Sequence, residues 1–412
     1  MGTLSRRTAS LRQDTVIASC KISAMTTPPL SNYANEIYLH GMGGTRPDIT
    51  TDLSVLEAYA EQRMDPEPFW YAAGAAGSGA TYRANLEAFD RWRIVPRMLA
   101  GATDRSAQVS LFGQTIPAPV ITAPIGVQGI MHPDGELAVA RVALELGLPM
   151  AVSTVSSHPL EEIAAANGDG VRWFQLYWPN DEEVCASFLA RARSAGYSAL
   201  VVTLDTWLLG WRPRDLDHAY LPFLTGKGLA TYFSDPVFRA GLQKAPEDDL
   251  PAAIMRWLPM FTGNDKTWDN LGFVREHWDG PILLKGIQHV DDARRAVDAG
   301  VEGIIVSNHG GRQVDGAIAS LDALPGIVDA VGDELDVLFD SGIRTGADII
   351  KALALGAKAT LVGRPWVYGL ALGGADGVRH VLRCLLADLD LGLALSGNRG
   401  VADLGRHILQ QR

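Results

Sequence analysis

The chain has 412 residues, 47% hydrophobic and 20% charged, with a formal net charge of −11. That composition supports a sizeable buried core. It excludes nonspecific nucleic-acid binding as a main role, so any anionic ligand needs a locally basic pocket.

No stretch approaches the roughly eighteen consecutive apolar residues of a membrane span. The three cysteines, Cys20, Cys185 and Cys384, are widely spaced and form no C-x-x-C pair. They fit neither a disulfide framework nor a zinc site, and the expected compartment is reducing and cytoplasmic.

Residues 1–25, "MGTLSRRTASLRQDTVIASCKISAM", hold four basic residues and one acid. That Arg/Ser-rich character suits a transit peptide, but a secretory apolar stretch is missing. The plainer expectation for residues 1–34 is a disordered extension, or a start placed too early with Met25 the true one. The folded unit then spans residues 35–412. "LSVLEAYAEQRM" has a helical period. In "DPEPFWYAAGAAGSGATYRANLEAF" the Gly/Ala-rich core reads as a loop entering a further helix at "RANLEAF".

From residue 119 onward short apolar runs alternate with helical patterns. The runs are "PVITAPIG", "PMAVSTV", "RWFQLYW", "ALVVTLD", "PILLKGI", "EGIIVSN", "DVLFDSG" and "KATLVGR". Runs of this length bounded by Gly and Pro read as strands buried on both faces. Segments such as "DGELAVARVALELG" and "RTGADIIKALALG" repeat apolar residues at helical spacing and end in glycine. Strand then helix, eight times over, predicts a (β/α)₈ TIM barrel with an N-terminal helical segment. The rhythm breaks once, after the fourth strand. Residues 213–265 form a long insertion rich in aromatics, expected to be a lid over the barrel mouth or a decoration with its own small core.

A barrel carries its active site where the strands end. Those ends hold Pro124, Ile125 and Gly126; Ser153; Gln175 and Tyr177; Thr203, Asp205 and Arg212; Lys285; Ser307, His309 and Arg312; Asp340, Gly342 and Arg344; Gly363 and Arg364. For any one of these a turn, a cap or a solvated rim is an adequate explanation. Their common placement favours a site. Glycines with Arg344 and Arg364 after strands 7 and 8 suit a phosphate. Lys285 has two chemical readings: a Schiff-base amine, or a cation that stabilises charge on a cofactor. His309 suits a general base held by Asp205, and Arg212 with Arg312 suits a carboxylate.

In order along the chain, "APIG", "FQLY", "TLDT", "LKGI", "SNHGGRQ", "DSGIRTGAD" and "GRP" resemble the FMN-dependent α-hydroxy acid oxidising enzymes, over roughly residues 35–410. The resemblance implies FMN as cofactor and a small L-2-hydroxy acid and O₂ as reactants, with no nucleic-acid or membrane partner. It implies His309 as the base, Asp205 as its partner, and Arg212 and Arg312 as the carboxylate clamp. Tyr71, chosen over Trp70, would reach the carboxylate, and Tyr177 the substrate hydroxyl. Lys285 would sit against flavin N1 and the C2 oxygen. Pro124, Ile125, Gly126, Ser153, Gln175, Thr203 and Ser307 match flavin contacts. Asp340, Gly342, Arg344, Gly363 and Arg364 match the ribityl-phosphate site. Related enzymes are commonly tetramers or octamers, so the resemblance implies a homotetramer or homo-octamer.

"NEIY", "DTWLLGWRPRDL" with its insertion, and the "SNHGGRQ"/"DSGIRTGAD" pair lean toward the lactate 2-monooxygenase branch. There a lid would hold pyruvate while peroxide decarboxylates it to acetate, CO₂ and water. The alternative is an oxidase that releases keto acid and H₂O₂. More distant alternatives are a Schiff-base aldolase using Lys285 and a barrel that binds a phosphorylated ligand without turnover.

Overall fold

The eight apolar runs each become one strand of a closed parallel barrel, because helices cover their outer faces and neighbouring strands pair their backbones. In chain order these are β1 (Val120–Thr122), β2 (Met150–Ser153), β3 (Arg172–Leu176), β4 (Ala199–Thr203), β5 (Ile282–Ile287), β6 (Gly303–Val306), β7 (Asp336–Phe339) and β8 (Ala359–Val362). Each pairs with its sequence neighbour, and β8 closes on β1 through Leu361 opposite Ile121. The computed structural model describes residues 29–263 and 266–412. The expectation for the N-terminal extension therefore lies largely outside the described residues, as do the last two residues of the predicted insertion.

Side chains alternate across each strand. Ile121, Ala151, Trp173, Val201, Leu283, Ile305, Leu338 and Leu361 fill the barrel interior. Val120, Val152, Phe174, Val202, Leu284, Ile304, Val337 and Val362 join the layer under the helices. A hairpin, Val109–Leu111 with Gln114–Ile116, closes the end where the strands begin. Its Phe112 ring meets Trp173 edge-on at 5.7 Å. The opposite end stays open for chemistry.

The helical segment before the barrel has four helices, Asn32–Met42, Leu56–Glu61, Pro66–Ala73 and Ala80–Asp90. The third and fourth pack at the mouth, so residues far from the barrel in sequence reach its site. The insertion satisfies both expectations at once. It folds into short helices around its own aromatic core of Phe223, Tyr232, Phe238, Trp257 and Phe261. It also leans over the mouth. Its last helix, Leu250–Phe261, starts at Asp249, whose side chain accepts from Ala252 N. The helix ends where Asn180, after β3, donates to the carbonyls of Pro259 and Thr262. Among the described residues no helix is long and apolar enough to cross a membrane.

Candidate active site

The turn after β6 organises the centre. Asn308 Oδ1 accepts from Gly311 N at 3.1 Å, and the Asn308 and Asn85 amides exchange bonds at 2.8 Å. His309, Gly310 and Gly311 are all left-handed, at φ 58°, 64° and 77°. That conformation is costly for a residue with a Cβ, and here it aims the imidazole into the mouth. Glycine at 311 is required by space as well: a Cβ there would stand 2.6 Å from Tyr82 N. The two glycines therefore form the turn that carries His309.

His309 Nδ1 stands 2.7 Å from Asp205 Oδ1 and 3.0 Å from Thr206 Oγ1. Thr206 in turn donates to Asp205 Oδ1 at 2.9 Å. The carboxylate can only accept, so the Thr206 proton points to it and an oxygen lone pair faces Nδ1. Nδ1 must carry the imidazole hydrogen, which leaves Nε2 as the free base. Nε2 lies 3.5 Å from the Tyr177 hydroxyl. Burial lowers the His309 pKa, with Asp205 opposing and Lys285 and Arg212 reinforcing the shift, so the ring is neutral near pH 7. Burial alone would raise Asp205. The charges of His309 and Lys285 overcome it and bring the carboxyl down to about 2. Burial, with the Asp205 charge, pushes the Tyr177 phenol up to about 12, so it stays a donor.

Lys285 Nζ bonds Ser307 Oγ at 2.9 Å and pairs with Asp340 at 3.2 Å and Asp205 at 3.9 Å. Burial lowers its pKa, but the two carboxylates win and the net direction is up. A Schiff-base amine must be neutral to attack. This lysine is held cationic, which supports the second of its two readings.

The arginine pair is more exceptional. Arg212 donates to the Arg312 carbonyl at 3.0 Å and to Gln313 Oε1 at 2.7 Å. Arg312 donates to the Gly74 carbonyl at 2.8 Å and lies 5.4 Å from the Tyr71 ring centre. Among the described residues neither makes an ion pair with a carboxylate. Burial and the Arg212 charge bring the Arg312 pKa down to about 10. Two guanidinium groups facing one cavity with no carboxylate at ion-pair distance define a place for an anion. Tyr71 lines the same cavity, whereas the Trp70 ring lies under the Arg214 guanidinium at 4.1 Å, which decides between the two aromatics.

One cavity gathers Tyr71, Pro124, Ile125, Gly126, Tyr177, Thr203, Arg212, Lys285, His309, Arg312, Asp340, Gly342, Arg344, Gly363 and Arg364. Asp205, Ser153, Gln175 and Ser307 stand a layer behind. Ser153 donates to Gln175 Oε1 at 3.0 Å and Gln175 to Thr203 Oγ1 at 2.9 Å, a ladder that fixes three strand ends. Asp340 is held by Lys285 and by Ser341 Oγ at 2.7 Å. It suits hydroxyl groups rather than a phosphate.

Arg344 donates to Tyr82 OH at 3.3 Å, and Tyr82 donates to Glu57 at 2.9 Å. Arg364 differs from expectation in how it is held. It donates to the carbonyls of Ala72, Gly74 and Gly310, each at 3.0 Å, so it ties the pre-barrel helix to the β6 turn. Its contribution to a phosphate is then mainly its charge. Thr206, Gln313, Asp215 and the Tyr82–Glu57 pair were not singled out from sequence. Thr206 follows Asp205 directly and was within reach of the strand-end logic. The Tyr82–Glu57 pair comes from helices whose docking leaves no periodic signal.

The cavity fits a flavin mononucleotide. A buried cation, Lys285, stands mid-barrel. Bare backbone at Gly363 leaves a gap, since a Cβ there would come 3.3 Å from Ile125 Cδ1. Two arginines and the start of the long helix Arg364–Ser396 converge at the β7–β8 corner, where a phosphate gains from both.

The cavity and its charges thus define a flavin-dependent oxidoreductase built on a TIM barrel. Residues 60–411 match the model of the FMN-dependent dehydrogenase family. An FMN-dependent α-hydroxy acid dehydrogenase of Penicillium citrinum is 53% identical over 390 residues, 93% of this chain and 97% of that protein. An L-lactate oxidase of Lysinibacillus sphaericus is 43% identical, over 85% of this chain and 90% of its own. A structure of mandelate oxidase with (S)-4-hydroxymandelic acid superposes with a TM-score of 0.78 at 40% identity, covering 88% of this chain and 99% of that one. The chain belongs to the FMN-dependent dehydrogenase family. Its cofactor is FMN and its chemistry is the oxidation of α-hydroxy acids. FMN supplies the acceptor for the electron pair that leaves the substrate carbon.

Proposed function

We propose that this enzyme oxidises a small L-2-hydroxy acid, L-lactate first among them, with O₂ as the final acceptor. The observation that carries this reading is the neutral His309 Nε2 set in the same cavity as two arginines that have no carboxylate at ion-pair distance. Arg212 and Arg312 hold the substrate carboxylate, and Tyr71 adds a hydroxyl on that side. Tyr177 orients the substrate hydroxyl. His309 Nε2 takes a proton from the substrate, and Asp205 stabilises the imidazolium that forms. Lys285 offsets the negative charge that develops on the cofactor side.

The net reaction at this stage is hydroxy acid plus O₂ giving keto acid plus H₂O₂. The insertion supports a second stage. Phe223 and Phe261 line the cavity, and Phe261 meets Tyr177 edge-on at 5.5 Å. Pyruvate kept behind that wall reacts with H₂O₂ to give acetate, CO₂ and water, a balanced two-electron oxidation. A competing reading is release of keto acid and H₂O₂, favoured by the similarity to proteins named L-lactate oxidase and mandelate oxidase. Anaerobic reduction of the bound flavin by a panel of L-2-hydroxy acids, aromatic ones included, tests the oxidation. Product analysis in air separates the outcomes: acetate without free peroxide supports decarboxylation, and equimolar keto acid and peroxide refutes it. If no hydroxy acid bleaches the flavin, the proposal fails.

A further inference from the structure

A further carboxylate stands beside the arginine pair and has no part in the chemistry above. Asp215 follows Arg212 by three residues, in the short helix Pro213–Asp217 that opens the insertion. Its Oδ1 is buried without a hydrogen-bond partner, and among the described residues its side chain makes no ion pair within 4.0 Å. It lies against Gly74: a Cβ built on that glycine would be 3.7 Å from Asp215 Oδ1. The Gly74 carbonyl is the one held by Arg312 at 2.8 Å and Arg364 at 3.0 Å.

Asp215 therefore sits behind the carboxylate clamp rather than in its mouth. Arg212, Arg312, Tyr71 and His218 all feel its charge. Burial raises its carboxyl above the ordinary value, and the arginines oppose that shift. A half-buried carboxylate short of hydrogen bonds is unfavourable by itself. The field of the two guanidinium groups offsets that cost, and in return the carboxylate dilutes their pull on any other anion.

We propose that Asp215 is a resident countercharge of the arginine clamp, loosening its hold on carboxylates so that the keto acid can leave. This rests on Arg212 and Arg312 being the clamp. Hydroxy acid and keto acid carry the same carboxylate, so Asp215 weakens both to a similar degree. It acts on binding and release, as a positioning and tuning residue, and not on the bond-breaking step.

The test uses FMN-loaded Asp215→Asn and Asp215→Ser enzymes and the probe 2-hydroxy-2-methylpropanoate. That acid has no hydrogen on Cα and cannot be oxidised. Its binding is followed through the flavin absorption band. Removing one negative charge beside the clamp is expected to tighten binding about tenfold in both variants. KM for L-lactate should fall by a similar factor, and by more than any change in the flavin reduction rate at saturating substrate. Pyruvate release, measured by stopped flow, should slow.

Unchanged or weaker probe binding in variants that keep their flavin and thermal midpoint overturns the proposal. So does loss of flavin in both, since a countercharge is dispensable for folding. Arg312→Lys is the control for the underlying reading. If that variant binds the probe as tightly as the parent, the clamp assignment fails and the countercharge with it; weaker binding there with unchanged binding in the Asp215 variants overturns the countercharge alone.

Discussion

His309 Nδ1 and Asp205 Oδ1 meet at 2.7 Å across 104 residues of sequence, one from the β6 turn and one from the end of β4. The contact fixes the tautomer that leaves Nε2 basic. Replacing Asp205 by Asn removes the charge that stabilises the imidazolium and allows the amide to present a donor to Nδ1. Anaerobic flavin reduction by L-lactate in Asp205→Asn should slow by about a thousandfold, within the usual range for general-base catalysis. FMN content should stay intact. A variant that reduces its flavin at the parental rate would remove Asp205 from the role of partner to the base.

The pH profile follows from the same contact. A base works when neutral, so kcat/KM rises with pH as His309 loses its proton. Burial sets that pKa below the ordinary imidazole value of 6.5. The acid limb of kcat/KM for L-lactate is therefore expected below 6.5, with unit slope. The Tyr177 phenol, pushed up to about 12, contributes no loss at moderately alkaline pH. An acid limb above 6.5 would show that the Asp205 charge outweighs burial in the free enzyme.

Arg312→Lys tests the anion site. Lysine keeps the charge but loses the planar fork that bonds the Gly74 carbonyl and reaches a carboxylate together. KM should rise by about a hundredfold, on the order of 3 kcal/mol for a buried charge contact. Steady-state kinetics with L-lactate, with FMN occupancy measured in parallel, checks it.

The barrel was legible because each strand is an apolar run with its own boundaries, and because strand ends are where barrel chemistry gathers. Lys285, His309 and Asp205 could be read from that rule alone. What joins them could not. Tyr82 and Glu57 reach the Arg344 corner only because helices Leu56–Glu61 and Ala80–Asp90 dock at the mouth. That docking depends on packing between segments far apart in sequence. Arg364 shows the same limit from the other side. Its position was evident, but its carbonyl partners come from Ala72, Ala73, Gly74 and Gly310, and no local pattern announces them. The insertion was visible as a break in rhythm. Its aromatic core and its wall on the cavity emerged only once Phe223, Trp257 and Phe261 were brought together.

That wall yields a further prediction. The Phe261 ring packs against Tyr177 at 5.5 Å and lines the cavity. Phe261→Ala opens a path beside the substrate, so pyruvate and peroxide should separate before they react. In an oxygen electrode, catalase returns O₂ only when peroxide escapes. The variant should show catalase-dependent return of O₂ and a smaller acetate yield than the parent. Equal acetate yields would mean that Phe261 has no part in retention.

Gly311 ties the catalytic turn to the pre-barrel helix. Its φ of 77° disfavours any side chain, and a Cβ would stand 2.6 Å from Tyr82 N and 2.7 Å from Tyr82 Cα. Both are backbone-frame atoms that cannot swing aside. Gly311→Ala must either push helix Ala80–Asp90 outward or bend the turn that carries His309. Overpacking of this kind costs about 1–3 kcal/mol, with the left-handed backbone adding about 1 kcal/mol more. The thermal midpoint should fall by several degrees. Activity should fall further than stability does, because the turn also sets the distance from His309 to Asp205. Differential scanning calorimetry and anaerobic flavin reduction on the same preparation distinguish the two effects. An alanine variant with parental midpoint and parental reduction rate would show that the turn has slack the geometry denies it.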